Sequence, residues 1–499
     1  MAEPRGSTDP GRPAGWGVLT AACVSALVVN ANTSAVTILL PAMSKDLGAP
    51  LTLLQWAVTG YMLVGAAVIV TSGALGDVLG RRRVFVAGLV LFVASCVLIA
   101  LAGSGGGVVA GRAIQGAAGA TILACGMSLL SVASSGAAQM RAITLWGAAS
   151  AAGAALGPLV GGFLVDFTGW QGLFWIDAGI AVACIPLTVF TVSESRDPQR
   201  SKSIDFAGTV LIAVILVPLV LALSEGAQWG WASFAVLGCL VISVLAAVGF
   251  VLVERRVAAP LVDLRLLRNR ILVGATLAIL IVAGTINGLM YVLSLYFQDP
   301  NGFGLSALQA GFATLPAAAA LIAITPAITP LAVKIGPGKA VGLGFALGTV
   351  GFAALAFVHA SWTYLAFVLP LIVTAVGLGL ANGPASSAST SSVSHDQVGQ
   401  ASGISNMARY IGGSLAVAAV ATIYNTVVTD HKKAGAQAGD ALAAGLSRAS
   451  LLMAIVCAAG VALAALMVRH RYVKQRAVDR AAAAAATTHT VHAPAMTQT

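Results

Sequence analysis

The segment GALGDVLGRRR, from Gly73 to Arg83, separates two long apolar runs and is the most informative stretch of the sequence. Glycines at both of its ends, Gly73 and Gly80, permit a tight turn between two helices. Asp77 can accept charge-assisted hydrogen bonds or sit at a helix N-terminus, and such a contact can form in one conformation and break in another. We therefore predict a gating role for Gly73, Asp77, Gly80, Arg81 and Arg82. The alternative is an ordinary basic turn whose charges only orient the chain in a membrane.

The apolar character on either side of this segment extends along the whole chain. Of the 499 residues, 58% are apolar and only 9% are Asp, Glu, Lys or Arg, and the mean hydropathy is +0.94. A soluble chain carries roughly a quarter charged residues, so a soluble enzyme, a disordered protein and a disulfide scaffold are all disfavoured. The composition leaves a polytopic membrane protein.

The apolar runs are long and do not alternate, which predicts spanning helices and not barrel strands. Fourteen spans are predicted, at approximately 17–40, 53–75, 84–102, 107–131, 140–164, 173–192, 207–223, 233–253, 271–297, 307–333, 340–358, 362–384, 403–425 and 448–468. The predicted fold class is therefore an all-α polytopic membrane protein.

The basic residues are distributed unevenly between the two sides of the predicted membrane. Twenty-one of the 27 Lys and Arg residues lie on the side that carries both termini, four lie on the other side, and Arg112 and Arg409 fall inside helices. Loops rich in Lys and Arg stay in the cytoplasm, so both termini are predicted to be cytoplasmic. The net charge of +10 thus orients the protein and does not indicate a nucleic-acid partner.

Polar segments divide the predicted spans into groups of six, two and six. The predicted organisation is a cytoplasmic tail (1–15), an N-terminal six-helix bundle (16–192), a cytoplasmic linker (193–206), an inserted helix pair (207–253), a basic cytoplasmic loop (254–270), a C-terminal six-helix bundle (271–468) and a second cytoplasmic tail (469–499). Both tails are rich in Pro, Ala, Thr and charge and are expected to be disordered. A further polar loop is predicted over 384–402.

The patterns that indicate enzyme chemistry are missing from the sequence. All six cysteines fall within predicted spans, and neither they nor the six histidines have metal-ligand spacing. A Gly-rich phosphate loop ending in Lys and Ser or Thr is also missing. We therefore expect no enzyme, no metal site, no cofactor and no ATPase motor.

The fifth span carries glycines at helical spacing. Gly153, Gly157 and Gly161 repeat every four residues and so share one helix face, where a neighbouring backbone can approach closely. Pro158 removes one backbone hydrogen bond and favours a kink. Together with Gly162, these residues are predicted to support close packing that bends during a conformational change. Helix packing alone would explain the same pattern.

Arg112 is the least expected residue of the sequence because a charge within a span costs at least about 2.5–3.5 kcal/mol and by default marks function. Arg112 and Gln115 share a helix face with Gly116 and Gly119, so we predict that this face borders a substrate or proton cavity. The alternative is a side chain that extends to the outer interface. Arg409, in the thirteenth span, is a second candidate, and its side chain can equally extend to the cytoplasmic interface.

Three of these segments together resemble signatures of the major facilitator superfamily. The segment 73–83 resembles the signature between its second and third spans, the segment from Arg112 to Gly119 its fourth-span motif, and the segment from Gly153 to Gly162 the fifth-span motif of antiporters and exporters. With fourteen spans, the chain is similar to the drug:proton antiporter branch. The resemblance implies two six-helix bundles around a midplane cavity that opens alternately to each side, with the proton motive force as driving force.

The sequence departs from this branch where a proton carrier is expected. Members usually place an Asp nine residues before the Pro that ends the first span, and here Pro41 puts Asn32 at that position. Asn32 and Thr33 can still hydrogen-bond a ligand. Near the outer end of the sixth span, an Asn of the family is replaced by Asp177, and we predict that Asp177 compensates part of the charge of Arg112. The alternative is an interfacial Asp177 in contact with headgroups and water.

The resemblance implies secondary active export of a small amphipathic drug, antibiotic or metabolite, by alternating access coupled to proton influx. Two alternatives stay open, namely a lipid or lipid-linked metabolite transporter of the same fold and an exporter that is not coupled to protons. Because the predicted helices contain two arginines and their acids lie near helix ends, neutral or anionic amphiphiles are favoured over dications. The expected location is the cell membrane, and the expected state is a monomer.

Overall fold

The computed structural model describes residues 14–196, 205–257, 260–393 and 397–491, and the regular structure in these ranges is helical. The long α-helices are α1 (Trp16–Leu47), α2 (Leu51–Leu79), α3 (Arg81–Ala100), α4 (Gly105–Ala133), α5 (Gly136–Thr168), α6 (Gln171–Thr191), α7 (Phe206–Trp229), α8 (Phe234–Glu254), α9 (Arg270–Gln298), α10 (Ala307–Ile335), α11 (Pro337–Leu355), α12 (Tyr364–Ser391), α13 (Val398–Lys433) and α14 (Ala438–Val491). A short 3-10 helix, Leu266–Arg268, precedes α9.

These helices have the length and composition needed to cross a bilayer. Within the described ranges, thirteen are long and apolar enough to do so, and α10 adds the shorter apolar stretch Ala307–Ala320. An α-helix rises about 1.5 Å per residue, so about 20 residues cross the hydrocarbon core. The predicted all-α polytopic membrane fold is therefore confirmed.

The helices pack as two six-helix bundles with an additional pair. In the first bundle, α1 packs against α5, α2 against α4, and α3 against α6. In the second bundle, α9 packs against α13, and α11 packs against both α12 and α14. The two bundles meet along two seams, one between α5 and α10 and the other between α2 and α13.

The inserted pair lies against one of these seams. Helix α7 packs against both α2 and α13, and α8 packs against α7. Val220 of α7 belongs to the same apolar cluster as Ala66 of α2 and Ala418 of α13. The hydroxyl groups of Thr71 and Thr209 form a hydrogen bond between α2 and α7. Helix α7 therefore covers the seam between α2 and α13.

The two bundles are hydrogen-bonded to each other at the predicted outer face. Ser294 Oγ of α9 donates to the carbonyl oxygen of Thr37 in α1 over 2.6 Å. Ser306 Oγ, at the start of α10, donates to Asp166 Oδ2 of α5 over 3.0 Å. These contacts join the bundles in the C-terminal halves of α1, α5 and α9, on the predicted outer side.

The second tail differs from its prediction. Helix α14 continues to Val491, whereas disorder was predicted for the tail 469–499, so that prediction is wrong for the described part of the tail. The run of alanines at 481–486 explains the difference because alanine has the highest helix propensity. The predicted tail and linker residues 1–13, 197–204 and 492–499 lie outside the described residues.

The polar loop predicted over 384–402 is mostly helical. Helix α12 ends at Ser391 and α13 begins at Val398. Serine hydroxyls are accommodated inside α12 by bonds to the preceding turn, since Ser386 Oγ donates to the Asn382 carbonyl over 2.9 Å. Polar composition therefore did not indicate irregular structure here.

Candidate substrate and proton site

The glycine face of α5 is pressed against α1. A Cβ atom on Gly153 would overlap the carbonyl oxygen of Leu27, and a Cβ atom on Gly157 would overlap the hydroxyl of Ser34. Gly161 is also too close to α1 for a side chain. The predicted close helix packing is therefore observed, while a role of these glycines in gating stays a prediction.

Another face of α5 contacts the second bundle. Gly162 lies against the carbonyl oxygen of Ala307 at the start of α10, and a Cβ atom on Gly311 of α10 would lie 2.7 Å from the Pro158 carbonyl oxygen. Helix α5 is continuous through Pro158. The same helix thus carries the close contacts to α1 and to the second bundle, so a change in its shape would act on both.

We expect Gly153→Ala to destabilise the protein because the added methyl group would push α1 away from α5. Overpacking of this kind costs about 1–3 kcal/mol. Gly147→Ala is the matched control, since nothing lies within 4 Å of a Cβ atom at that position of the same helix. Thermal unfolding of the two purified variants should show a lower midpoint for Gly153→Ala alone. Equal midpoints would contradict the packing argument.

Only one of the two glycines predicted to form the turn after α2 does so. Gly80 links α2 to α3 with a φ of 118°, a backbone conformation that favours glycine. Gly73 lies within α2, and nothing surrounds the position of its missing Cβ atom within 4 Å. The predicted turn at Gly73 is wrong because the helical hydrogen bonds of α2 continue to Leu79.

The charged residues of the segment 73–83 form hydrogen bonds and ion pairs with neighbouring residues of the first bundle and the start of the linker. Asp77 lies in the last turn of α2 and not at a helix N-terminus, and Arg81 Nη2 is 2.9 Å from Asp77 Oδ1. Glu194, which sequence reasoning missed, accepts hydrogen bonds from the backbone N–H groups of Arg82 (3.1 Å) and Arg83 (3.3 Å). Glu194 thereby caps the N-terminus of α3 from the chain that follows α6, where a carboxylate is favoured. The segment is thus tied to the start of the linker.

Arg112 is fully buried within the first bundle. Its Nε donates to the Ala57 carbonyl oxygen (2.9 Å), and its Nη1 donates to Asn32 Oδ1 (2.6 Å) and Gln115 Oε1 (2.5 Å). Its guanidinium carbon lies 4.2 Å from the centroid of the Tyr61 ring, within the range of a cation–π contact. Among the described residues, Arg112 Nη2 has no hydrogen-bond partner. The alternative in which Arg112 extends to the outer interface is therefore wrong.

Asn32 connects Arg112 to Asp177. Asn32 Nδ2 donates to Asp177 Oδ2 over 2.7 Å, so one amide accepts from the cation and donates to the carboxylate. Asp177 is only 4% exposed, which excludes the alternative of an interfacial side chain in contact with water. Buried charges require partners and hydrogen bonds, and this network supplies both. Charge compensation by Asp177 stays a prediction, and the geometry fits it.

Gln115 and Thr33 behave differently from each other. Gln115 Nε2 donates to Cys96 Sγ over 3.0 Å, which turns its carbonyl oxygen toward Arg112. Thr33 Oγ1 donates to the Val29 carbonyl within α1 over 2.7 Å and does not join the network through that bond.

In the described part of the chain, no three His, Cys, Asp or Glu side chains are grouped so as to hold a metal ion.

Arg409 belongs to the second bundle. Its Nη1 donates to Asn382 Oδ1 (2.8 Å) and its Nη2 donates to Ser386 Oγ (2.7 Å), both in the C-terminal part of α12. Arg409 is only partly buried, so the alternative of a side chain that extends to the cytoplasmic interface stays open. The next residue, Tyr410, has its ring centroid 6.2 Å from that of Tyr61. The Tyr61 ring, which contacts the guanidinium of Arg112, therefore also contacts the second bundle through Tyr410.

The chain is a bundle of spanning helices with a buried Arg–Asn–Asp network, an arrangement that fits a polytopic membrane transporter. The family model described as Major Facilitator Superfamily matches residues 22–417, and the chain belongs to this superfamily. The predicted superfamily is thus confirmed, and the chain is a multi-pass transporter of the cell membrane and not an enzyme.

The relatives of the chain include two proteins that are named for export. It is 31% identical over 430 residues to the tetracenomycin C resistance and export protein of Streptomyces glaucescens, covering 84% of this chain and 77% of the relative. It is 29% identical over 432 residues to the cephamycin export protein CmcT of Amycolatopsis lactamdurans, covering 85% and 88%. A solved structure of the peptide transporter POT in complex with sulfate shares the fold, with a TM-score of 0.65, 16% identity and coverage of 91% and 97%.

Proposed function

We propose that the chain exports small amphipathic compounds of the antibiotic type from the cytoplasm by alternating access, coupled to proton influx. The observation that carries the proposal is the buried network in which Asn32 joins the cation Arg112 to the titratable carboxyl group of Asp177. Its relatives named for the export of tetracenomycin C and cephamycin support the substrate class. The proton motive force drives the cycle without a cofactor, and the protein acts as a monomer with both termini in the cytoplasm.

Asp177 is the proposed proton carrier. While it is ionised, its charge offsets that of Arg112 through Asn32. When it binds a proton, the network loses its negative charge and Arg112 is free to pair with another acceptor. Because the guanidinium lies over Tyr61, whose ring is next to Tyr410 of α13, a shift of Arg112 acts directly on the contact between the bundles.

The charges inside the spans favour neutral or anionic substrates. Arg112 and Arg409 lie within helices, and each is held by neutral oxygen acceptors. A dication would be repelled by both guanidinium groups, whereas a carboxylate, phenolate or carbonyl group can accept from an arginine. Arg112 Nη2 is a donor without a partner in the described structure and is suited to such a group.

Transport by purified protein in proteoliposomes, with the pH gradient and the voltage imposed separately, tests this proposal. Tetracenomycin C and a cephamycin are the probes, and a lipophilic dication is the control compound. We expect at least one probe to be accumulated when the pH gradient is imposed and to dissipate that gradient, with no accumulation of the dication.

Two outcomes would contradict the proposal. Accumulation that responds to neither gradient would exclude proton coupling. Transbilayer movement of a fluorescent phospholipid, without movement of any probe compound, would instead identify the lipid transporter of the same fold.

A further inference from the structure

Two buried carboxyl groups lie beside each other at the predicted cytoplasmic end of the inserted helix pair. Asp205 immediately precedes the first residue of α7, and Glu254 is the last residue of α8. Asp205 is 6% exposed and Glu254 is 4% exposed. Neither residue belongs to the network around Arg112, and no motif of the sequence includes either of them.

Each carboxyl group has one bonded oxygen and one oxygen without a partner. Asp205 Oδ1 accepts a hydrogen bond from the Gly208 N–H over 2.7 Å, and Glu254 Oε1 accepts one from the Val262 N–H over 3.3 Å. The second oxygens, Asp205 Oδ2 and Glu254 Oε2, have no hydrogen-bond partner among the described residues. A buried polar atom without a partner is unfavourable, so two such atoms at one place indicate that a proton or another bound species connects them.

The two groups meet beside Gly208. A Cβ atom built on Gly208 would overlap Asp205 Oδ2 and would lie 3.1 Å from Glu254 Oε1. The oxygen of Asp205 that has no partner and one oxygen of Glu254 therefore both lie next to Gly208. This juxtaposition brings together the beginning of α7 and the end of α8, which are 49 positions apart in the sequence.

The described residues around the two carboxyl groups supply no counterion, and residues 197–204 and 258–259 lie outside them. Arg255 and Arg256 follow Glu254 directly, but both are exposed, and Asp263 on the next loop adds a further negative charge nearby. In the described ranges, the ion pairs are confined to the segment after α2 and involve neither carboxyl group. Helix α2, which packs against the start of α7, presents the neutral hydroxyl of Thr71.

Two adjacent buried carboxylates without a cation do not both stay ionised, because each raises the energy of the other's charge. The helix ends determine which one holds the charge. The N-terminus of α7 favours an anion at Asp205, and the C-terminus of α8 disfavours one at Glu254. We propose that Asp205 and Glu254 form a proton-binding site in which Glu254 holds the proton and donates a hydrogen bond to Asp205 Oδ2.

This proton joins the start of α7 to the end of α8, and through Val262 to the loop that follows α8. Helix α7 is in turn bonded to α2 by Thr209 and Thr71, at the seam between the bundles. Loss of the proton would place two negative charges side by side and separate the ends of the inserted pair. The site does not depend on the proposed function, since it involves none of the residues around Arg112.

Infrared spectroscopy of the purified full-length protein tests the site. The wild type should show the C=O stretch of a protonated carboxylic acid that is missing in Glu254→Gln, a loss of one acid group per protein. In Asp205→Asn the same band should move in frequency, because the acceptor changes from a carboxylate to a neutral amide. Glu225→Gln, at the other end of α7, is the matched control and should leave the band unchanged. Glu254→Gln and Asp205→Asn replace each carboxyl group by an amide of nearly the same shape that can still form hydrogen bonds. The spectrum of each variant is recorded separately.

Three results would overturn the proposal. The first is an unchanged carboxylic acid band in Glu254→Gln, and the second is an unchanged frequency in Asp205→Asn. The third is a band in the wild type that disappears when Na⁺ or Mg²⁺ is added at constant pH, because that result would identify a cation site in place of a proton site.

Discussion

Arg112→Ala is expected to abolish export while the protein stays in the membrane. The guanidinium donates to Asn32 and Gln115, and Asn32 links it to Asp177, whose charge we propose it offsets. The variant loses the donors that hold this network together, so export should fall to the level of vesicles without protein. Asp177 can take up a proton in the variant, which removes the uncompensated charge and allows folding. Substrate efflux from proteoliposomes with equal amounts of protein measures the loss.

Two further variants show whether this loss is specific. Arg448→Ala removes an exposed arginine of α14 and should leave export unchanged. Arg112→Lys keeps the charge but lacks the planar fork that reaches Ala57, Asn32 and Gln115 together, so it should also be inactive. Full export by Arg112→Ala at the wild-type membrane level would refute the role of Arg112.

Asp177→Asn is expected to uncouple export from the proton gradient. The amide has nearly the shape of the carboxyl group and can still accept the hydrogen bond from Asn32, but it cannot carry a proton at any working pH. Gradient-driven accumulation should fall to the level of vesicles without protein, while downhill movement of the substrate should continue. Both quantities can be measured in the same proteoliposomes.

An exchange of the residues at positions 32 and 177 tests whether proton coupling requires the acid at position 177 or only an acid within the network. Asn32→Asp combined with Asp177→Asn returns a carboxyl group to the network, now in direct contact with Arg112. The double variant should regain gradient-driven accumulation that Asp177→Asn lacks, with an altered pH dependence. Wild-type accumulation by Asp177→Asn alone would show that another group carries the proton.

The spanning helices could be predicted from the sequence because the bilayer sets their length and composition directly. An apolar run of about 20 residues has to span the membrane whatever its neighbours are. The same reasoning was less successful for polar segments. The residues 384–402 and the alanine-rich tail were expected to be irregular or disordered, yet the serines of α12 bond to their own helix and the alanines continue α14.

The candidate site could be predicted only in part. Arg112 and Gln115 are three residues apart on one helix, so their shared face follows from helical spacing, and their contact is observed. Asn32 and Asp177 are 145 residues apart, and no local rule relates them. Their connection was suggested by the resemblance to a family in which an acid occupies the position of Asn32.

Other residues of the site gave no sequence signal at all. Glu194 lies in a polar linker that resembles any soluble loop, and its capping of α3 depends on how α6 ends beside α3. The partners of Arg409 in α12, Asn382 and Ser386, were hidden because one lay near the predicted end of its span and the other in the predicted loop. A charge inside a span predicts that hydrogen-bond partners exist, but it does not identify the residues that provide them.

The sequence by itself determined the spanning helices, their orientation and their grouping into six, two and six, because bilayer thickness, charge asymmetry and polar linkers are local properties of the chain. The role as a transporter followed from the motifs that resemble the major facilitator superfamily. The tertiary structure alone decided which buried groups meet. It brought Asp177 to Arg112 through Asn32, Tyr61 to Tyr410, and Asp205 to Glu254. The physical reason is that helix length is set by each helix and the bilayer, whereas the contact of two side chains depends on the rotation and register of both helices.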